Sequence, residues 1–179
     1  VAVMKRLSNR FVGARFVVPL VTRETRERFE NVLWRDAEAL VPQVQLLFGH
    51  ADFALRAADV ALVASGTATL EAAMLGVPQV VSYRVSALTA MIVRRKLKSP
   101  YVSLPNILAN DWCVPELLQE AATEDALDSA LSGLIAQPRL AGTMRDAYAR
   151  MGDALRPPVS PDSDLLADAV LAEVRWSRR

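Results

Sequence analysis

Three small residues in a row, Ser65-Gly66-Thr67, stand where an apolar run gives way to helix-forming residues, and Glu71 follows four positions after the threonine. These residue types suit an anion. A glycine lets the backbone approach a ligand closely, the first N–H groups of a helix have no partner within it, and two hydroxyls add donors for phosphate oxygens. Thr67 and Glu71, four apart, share a helix face, away from the Leu70, Ala73 and Met74 stripe that is expected to pack inward. Glu71 is out of register for a capping box with Ser65 or Thr67 and has no Lys or Arg three or four residues on. An acceptor-only carboxylate one turn beyond a phosphate-binding turn fits a nucleotide, with the diphosphate on the helix N-terminus and ribose hydroxyls donating to Glu71. The alternative is plainer: many strand-to-helix turns are rich in Ser, Gly and Thr, and the helix dipole favours an early Glu in any protein.

Other polar residues could join such a site. Asn106 follows Pro105, which stops the strand-like run Tyr101-Val102-Ser103-Leu104, and its amide can both donate to and accept from a sugar or phosphate. Asn after Pro is equally ordinary turn chemistry. Arg84 is a candidate phosphate partner. His50 ends a strand on the ligand side of the sheet, and reads either as a nucleotide contact or as a plain loop histidine. Glu116 and Gln119 belong to a run, Val114–Glu120, that reads as a helix with Pro115 in its first turn, where the dipole alone accounts for a Glu. Cys113 has no accompanying His or Asp pattern to make it a nucleophile. No paired carboxylates or Asp-x-Asp element stand at a strand end, so no metal or other cofactor is expected. The charge of a bound diphosphate would be met by helix N–H groups, hydroxyls and basic side chains.

The elements that must position these residues read as α/β. Val60–Ala64 and Gln79–Tyr83 are short buried strands on either side of the Thr67 helix, a βαβ unit of a Rossmann-like parallel sheet flanked by helices. Ligands of open α/β sheets lie beyond the carboxyl ends of the strands, and here that end is Ser65-Gly66-Thr67. Upstream, Val1–Phe11 reads as the tail of a helix, Arg15–Val21 as a strand, and Glu24–Leu40 as a helix with Phe29, Leu33 and Ala37 inward and a solvated charged face. Val44–Phe48 is a strand, and Asp52–Ala58 a short helix capped by Asp52. Downstream, Thr123 opens a helix reaching Ala136, with Leu127, Leu131, Leu134 and Ile135 inward, and Pro138–Leu155 forms another. Residues 1–155 are read as one nucleotide-binding Rossmann-like domain, and 156–179 as a stiff linker and a last amphipathic helix along Leu166, Val170 and Val174.

Composition limits the rest. The chain has 179 residues, 52% hydrophobic and 23% charged, a globular balance sufficient for one core. A net charge of +1 gives no general attraction to nucleic acid. One Cys and one His exclude a disulfide framework and fit a reducing, cytoplasmic setting. Apolar runs are far shorter than the ~20 residues a membrane helix needs. Arg84–Lys98 combines apolar residues at helical spacing with a basic end. That end complements the helix dipole, or offers a surface to an anionic membrane or glycolipid.

Ser65-Gly66-Thr67-Ala68-Thr69-Leu70-Glu71, Gly76-Val77-Pro78, Tyr101-Val102-Ser103-Leu104-Pro105-Asn106-Ile107-Leu108-Ala109 and Val114-Pro115-Glu116-Leu117-Leu118-Gln119 come in this order along the chain. Together they resemble the lipid-A-disaccharide synthase family of GT-B glycosyltransferases, in its C-terminal, nucleotide-sugar-binding half. The resemblance is strongest from Val60 to Gln119, while Asn110-Asp111-Trp112-Cys113 departs from the more basic or Gly-containing loop expected there. It implies an inverting, metal-independent transfer from UDP-2,3-diacylglucosamine to 2,3-diacylglucosamine 1-phosphate, in lipid A biosynthesis. In those terms Ser65, Gly66 and Thr67 hold the diphosphate, Glu71 the ribose, Arg84 a phosphate, and Asn106, through the Ser-Leu-Pro-Asn motif, positions the donor sugar or acceptor phosphate. The resemblance further implies an acceptor-binding domain and an Arg-bearing phosphate loop upstream of Val1. It puts the general base in that domain and leaves this chain inactive alone. Peripheral attachment to the inner membrane and a homodimer formed through the last helix are implied as well. A different UDP-sugar GT-B transferase of envelope biosynthesis, or a nucleotide-binding module without activity, are the alternatives.

Overall fold

The computed structural model describes residues 1–64, 66–85 and 99–156. Helix α1 (Ala2–Arg10) leads to strand β1 (Phe16–Leu20), helix α2 (Arg23–Ala37), a 3-10 turn (Glu38–Gln43) and strand β2 (Val44–Phe48). Helix α3 (Ala51–Arg56), strand β3 (Ala61–Ala64), helix α4 (Thr67–Met74) and strand β4 (Gln79–Tyr83) follow. Then come helix α5 (Leu104–Ala109), strand β5 (Glu116–Leu118), a 3-10 turn (Gln119–Ala121), and helices α6 (Glu124–Ala136) and α7 (Pro138–Leu155). All strand pairs are parallel. They form a two-stranded sheet, β1-β2, and a three-stranded sheet in the order β3-β4-β5. This is the α/β architecture expected of a Rossmann-like domain.

The β3-α4-β4 unit forms as its sequence predicts, with Ala61 opposite Gln79 and Ala64 opposite Ser82. Val80 and Val81 point to opposite faces of β4 and are both fully buried, so this strand is covered on both sides. β3 differs: Val63 is buried but Leu62 is 49% exposed. α4 packs on both strands and on α5 and α7, while α6 packs on β4, α7 and α1. The main core joins Val80 and Val81 to Leu131, Leu134, Met144, Tyr148 and Met151, with Leu7 of α1. Arg10 anchors α1 to α6 through the buried carboxylate of Asp128, at 2.9 Å.

Helix ends are set by local chemistry. Thr22 caps α2 and accepts from Thr25 N–H at 3.1 Å, and Thr123 caps α6 and accepts from Ala126 N–H at 3.2 Å. The Arg23–Arg28 run is an exposed face crossed by Arg23–Glu27, Glu24–Arg28 and Arg26–Glu30 pairs one turn apart.

Several expectations are corrected. Asp52 does not cap α3; the helix starts one residue earlier, behind a left-handed His50 (φ 53°), so Asp52 lies within the first turn. Met74 and Ile135 are exposed, and Thr69 and Ala72 take the inward side of α4 in place of Met74. Tyr101–Leu104 is not a strand: Ser103 precedes α5, and Pro105 occupies the first turn of that helix, where its missing N–H costs nothing. Val114–Glu120 is not a helix, since Glu116–Leu118 pairs with Val81–Tyr83 as β5. The linker and last helix, 157–179, and residues 86–98 of the basic segment lie outside the described residues.

Candidate functional site

Because β3, β4 and β5 are parallel, their carboxyl ends share one edge of the sheet, which brings Gly66, Arg84 and Gln119 to that edge. Gly66 is the residue before α4 and has φ 141° and ψ −164°, a region open essentially to glycine alone. No side chain among the described residues caps α4. Gly66, Thr67 and Glu71 are all exposed, and Glu71 contacts no described cation. Glu71 sits in the second turn of α4, whose first turn holds no acid, so the helix dipole gives it little support. Ser65 lies outside the described residues. Arg84, just past β4, is exposed, with no partner among the described residues. Gln119 has a left-handed backbone (φ 51°), and its Oε1 accepts from Val85 N–H at 3.4 Å, tying the ends of β4 and β5 together.

The start of α5 lies against the start of α4. Thr69 Oγ1 donates to the Gly66 carbonyl at 2.7 Å and accepts from Leu104 N–H at 3.4 Å. Unlike α4, α5 has an anion of the chain's own at its N-terminus. Glu116 accepts from Val102 N–H at 3.0 Å, Ser103 N–H at 2.8 Å, Ser103 Oγ at 2.7 Å and Asn106 Nδ2 at 2.8 Å.

Asn106 lies beneath the surface, 0% exposed, with both ends of its amide bonded inside the chain. Nδ2 donates to Val114 O at 2.9 Å and to Glu116, while Oδ1 accepts from Cys113 N–H and Val114 N–H, both at 2.9 Å. The Cys113 thiol donates to the same oxygen at 3.2 Å. Burial pushes that thiol above its ordinary range, the reverse of an activated nucleophile. His50 is exposed and meets Phe53 edge-on at 5.6 Å. Among the described residues no group of three His, Cys, Asp or Glu side chains converges.

Sequence reasoning overlooked Thr69 and gave Glu116 no definite role. The signal for Thr69 is a hydroxyl three residues after a helix-opening glycine, within reach of its carbonyl. Gln79 was read simply as part of a buried strand; it is fully buried, with Nε2 bonded to Thr69 O at 2.9 Å and to the Tyr148 hydroxyl at 3.2 Å.

The family described as Lipid-A-disaccharide synthetase matches residues 1–170. This chain belongs to the lipid-A-disaccharide synthase family. A lipid-A-disaccharide synthase of Chromobacterium violaceum is 45% identical over 150 residues, covering 84% of this chain and 39% of the relative. Those of Aromatoleum aromaticum and Pseudomonas entomophila are 54% identical over 126 residues and 42% over 168, covering 70% and 94% of this chain and 32% and 42% of the relatives. The chain thus spans about two-fifths of the length of the lipid-A-disaccharide synthases it matches. No helix among the described residues is long and apolar enough to cross a membrane.

Proposed function

We propose that this chain supplies the nucleotide-sugar site of a transferase that moves the 2,3-diacylglucosaminyl group of UDP-2,3-diacylglucosamine onto 2,3-diacylglucosamine 1-phosphate, releasing UDP. The observation that carries the reading is the uncapped, exposed start of α4, with Gly66 and Thr67 at its tip and Glu71 one turn along on an exposed face. A diphosphate placed there meets free N–H groups, the Thr67 hydroxyl and the positive end of the helix dipole. Ser65 and Arg84 add donors from the turn and from the end of β4. As the glycosidic oxygen leaves with UDP, these fixed donors stabilise the developing charge, and the transfer proceeds with inversion and without a metal. Glu71 accepts from the ribose hydroxyls. Asn106, enclosed as it is, enters this reading as a positioning residue that shapes the α5 junction. The base that activates the acceptor hydroxyl belongs to residues outside this chain. Peripheral attachment to an anionic membrane through the basic segment, and pairing of two copies through the last helix, complete the proposal.

Calorimetric titration with UDP, GDP and UDP-2,3-diacylglucosamine tests it: UDP and its sugar bind, GDP binds weakly, and a preference for GDP would overturn the assignment. Glu71→Ala provides the residue-level check. Because the side chain is exposed, thermal stability changes by less than about 0.5 kcal/mol. UDP affinity falls roughly tenfold, the scale of one hydrogen bond to a charged acceptor. A UDP analogue lacking the ribose hydroxyls binds parent and variant alike; an equal loss for that analogue would remove Glu71 from the ribose.

A further inference from the structure

Thr69 is buried completely, yet every polar atom it has is engaged around the turn that opens α4. Its hydroxyl donates to the Gly66 carbonyl at 2.7 Å, and its own N–H reaches the same oxygen at 3.1 Å. The peptide joining Gly66 to Thr67 is planar and trans, so its C=O and N–H point in opposite directions. A carbonyl held inward by two donors therefore aims the Thr67 N–H outward, toward the place proposed for the diphosphate. The same hydroxyl accepts weakly from Leu104 N–H, at 3.4 Å, and the Thr69 carbonyl accepts from Gln79 Nε2 at 2.9 Å. Three elements meet at this one residue: the glycine turn, the start of α5 and the start of β4.

Helix closure does not require the hydroxyl. The Thr69 N–H alone completes the first turn, and a valine has nearly the same shape. What the hydroxyl adds is a second, side-chain grip on the Gly66 carbonyl, at the residue whose backbone is freest to rotate. It also links that grip to α5, whose first turn is itself tied to β5 by Glu116.

We infer that Thr69 is a positioning residue for the anion-binding turn, fixing the direction of its outward N–H groups through the Gly66 carbonyl and coupling that direction to the α5–β5 junction. The inference rests on the nucleotide-site reading above.

The test compares Thr69→Val and Thr69→Ser in the full-length protein, with Thr69→Ala as a second variant lacking the hydroxyl should valine impair folding. UDP affinity and the kcat and KM for the sugar donor are measured well below each variant's Tm. Loss of the hydroxyl is expected to weaken UDP roughly tenfold and raise the donor KM by a similar factor, whereas serine keeps the affinity within about twofold. A residue that only filled the core would lower Tm without moving the affinity of the folded protein. Parent-like UDP binding by the hydroxyl-free variants overturns the inference, as does a serine variant as weak as valine. Failure of the parent protein to bind UDP overturns the nucleotide reading and this inference with it, so the two failures are distinguishable.

Discussion

Replacing Gly66 with alanine is expected to remove most of the proposed UDP affinity while leaving the rest of the fold in place. Open space surrounds the position where a Cβ would stand, so no steric clash opposes the substitution. The whole penalty is in the backbone: φ 141° with ψ −164° is a region L residues scarcely enter, and holding an alanine there costs about 1–3 kcal/mol. Ala72 and Ala73 hold α4 in the core, so the strain is expected to be relieved at Gly66 rather than in the helix. Rotation of the 66–67 peptide takes the Gly66 carbonyl from its two Thr69 donors and re-aims the Thr67 N–H. Both the geometry and the electrostatics of the proposed anion site depend on that group. A loss of tenfold or more in UDP affinity, seen by calorimetry, with Tm lower by only a few degrees, is the expected result. An alanine variant that binds UDP as the parent does would show that the N–H groups of this turn do not hold the phosphates.

The β3-α4-β4 unit was legible in the sequence because two independent signals agree there: apolar strand-length runs on both sides, and a glycine turn between them. The exposure of Glu71 followed from spacing alone, since Leu70 and Ala73 fix the inward side of the helix. The stretch 99–121 was not legible, for a physical reason. Proline marks the end of a strand and the first turn of a helix with equal force, so Pro105 and Pro115 each admitted two readings and local propensity chose wrongly twice. Tyr101-Val102-Ser103-Leu104 has strand-like residues, yet the Glu116 carboxylate draws the N–H groups of Val102 and Ser103 into the start of a helix. Val114–Glu120 has a helix-like opening, yet β4 offers a free edge, and pairing of Val81 with Glu116 decides its conformation. Both outcomes depend on residues more than ten positions away, which no local window contains. Asp52 and Met74 failed for smaller reasons, a helix start displaced by one residue and an apolar stripe turned by part of a step.

Asn106 is where the motif and the geometry pull apart most, and its substitution separates them. The Ser-Leu-Pro-Asn motif implies an amide that faces a sugar; the structure encloses it, with Cys113, Val114 and Glu116 occupying its donors and acceptor. Asn106→Ala leaves the Val114 N–H and carbonyl without partners, reduces the Cys113 N–H to its bond with the Asp111 carbonyl at 3.1 Å, and opens a gap where the amide stood. The expected loss is about 3–5 kcal/mol, a large fraction of the stability of a domain this size. Asn106→Asp keeps the shape and the acceptor oxygen for Cys113 and Val114. It removes both donated bonds, however, and sets a carboxylate oxygen 2.8 Å from Glu116 Oε1, so it is also strongly destabilising. Denaturant unfolding of both variants in the full-length protein, alongside the donor KM of whatever fraction stays folded, distinguishes the roles. A positioning residue gives up stability first, and its kinetic defect is largely shared by Glu116→Ala, which unties the same junction from the other side. If Asn106→Ala instead unfolds at the parent's denaturant midpoint and loses turnover, the amide meets substrate directly and the enclosed arrangement is not the one that binds it.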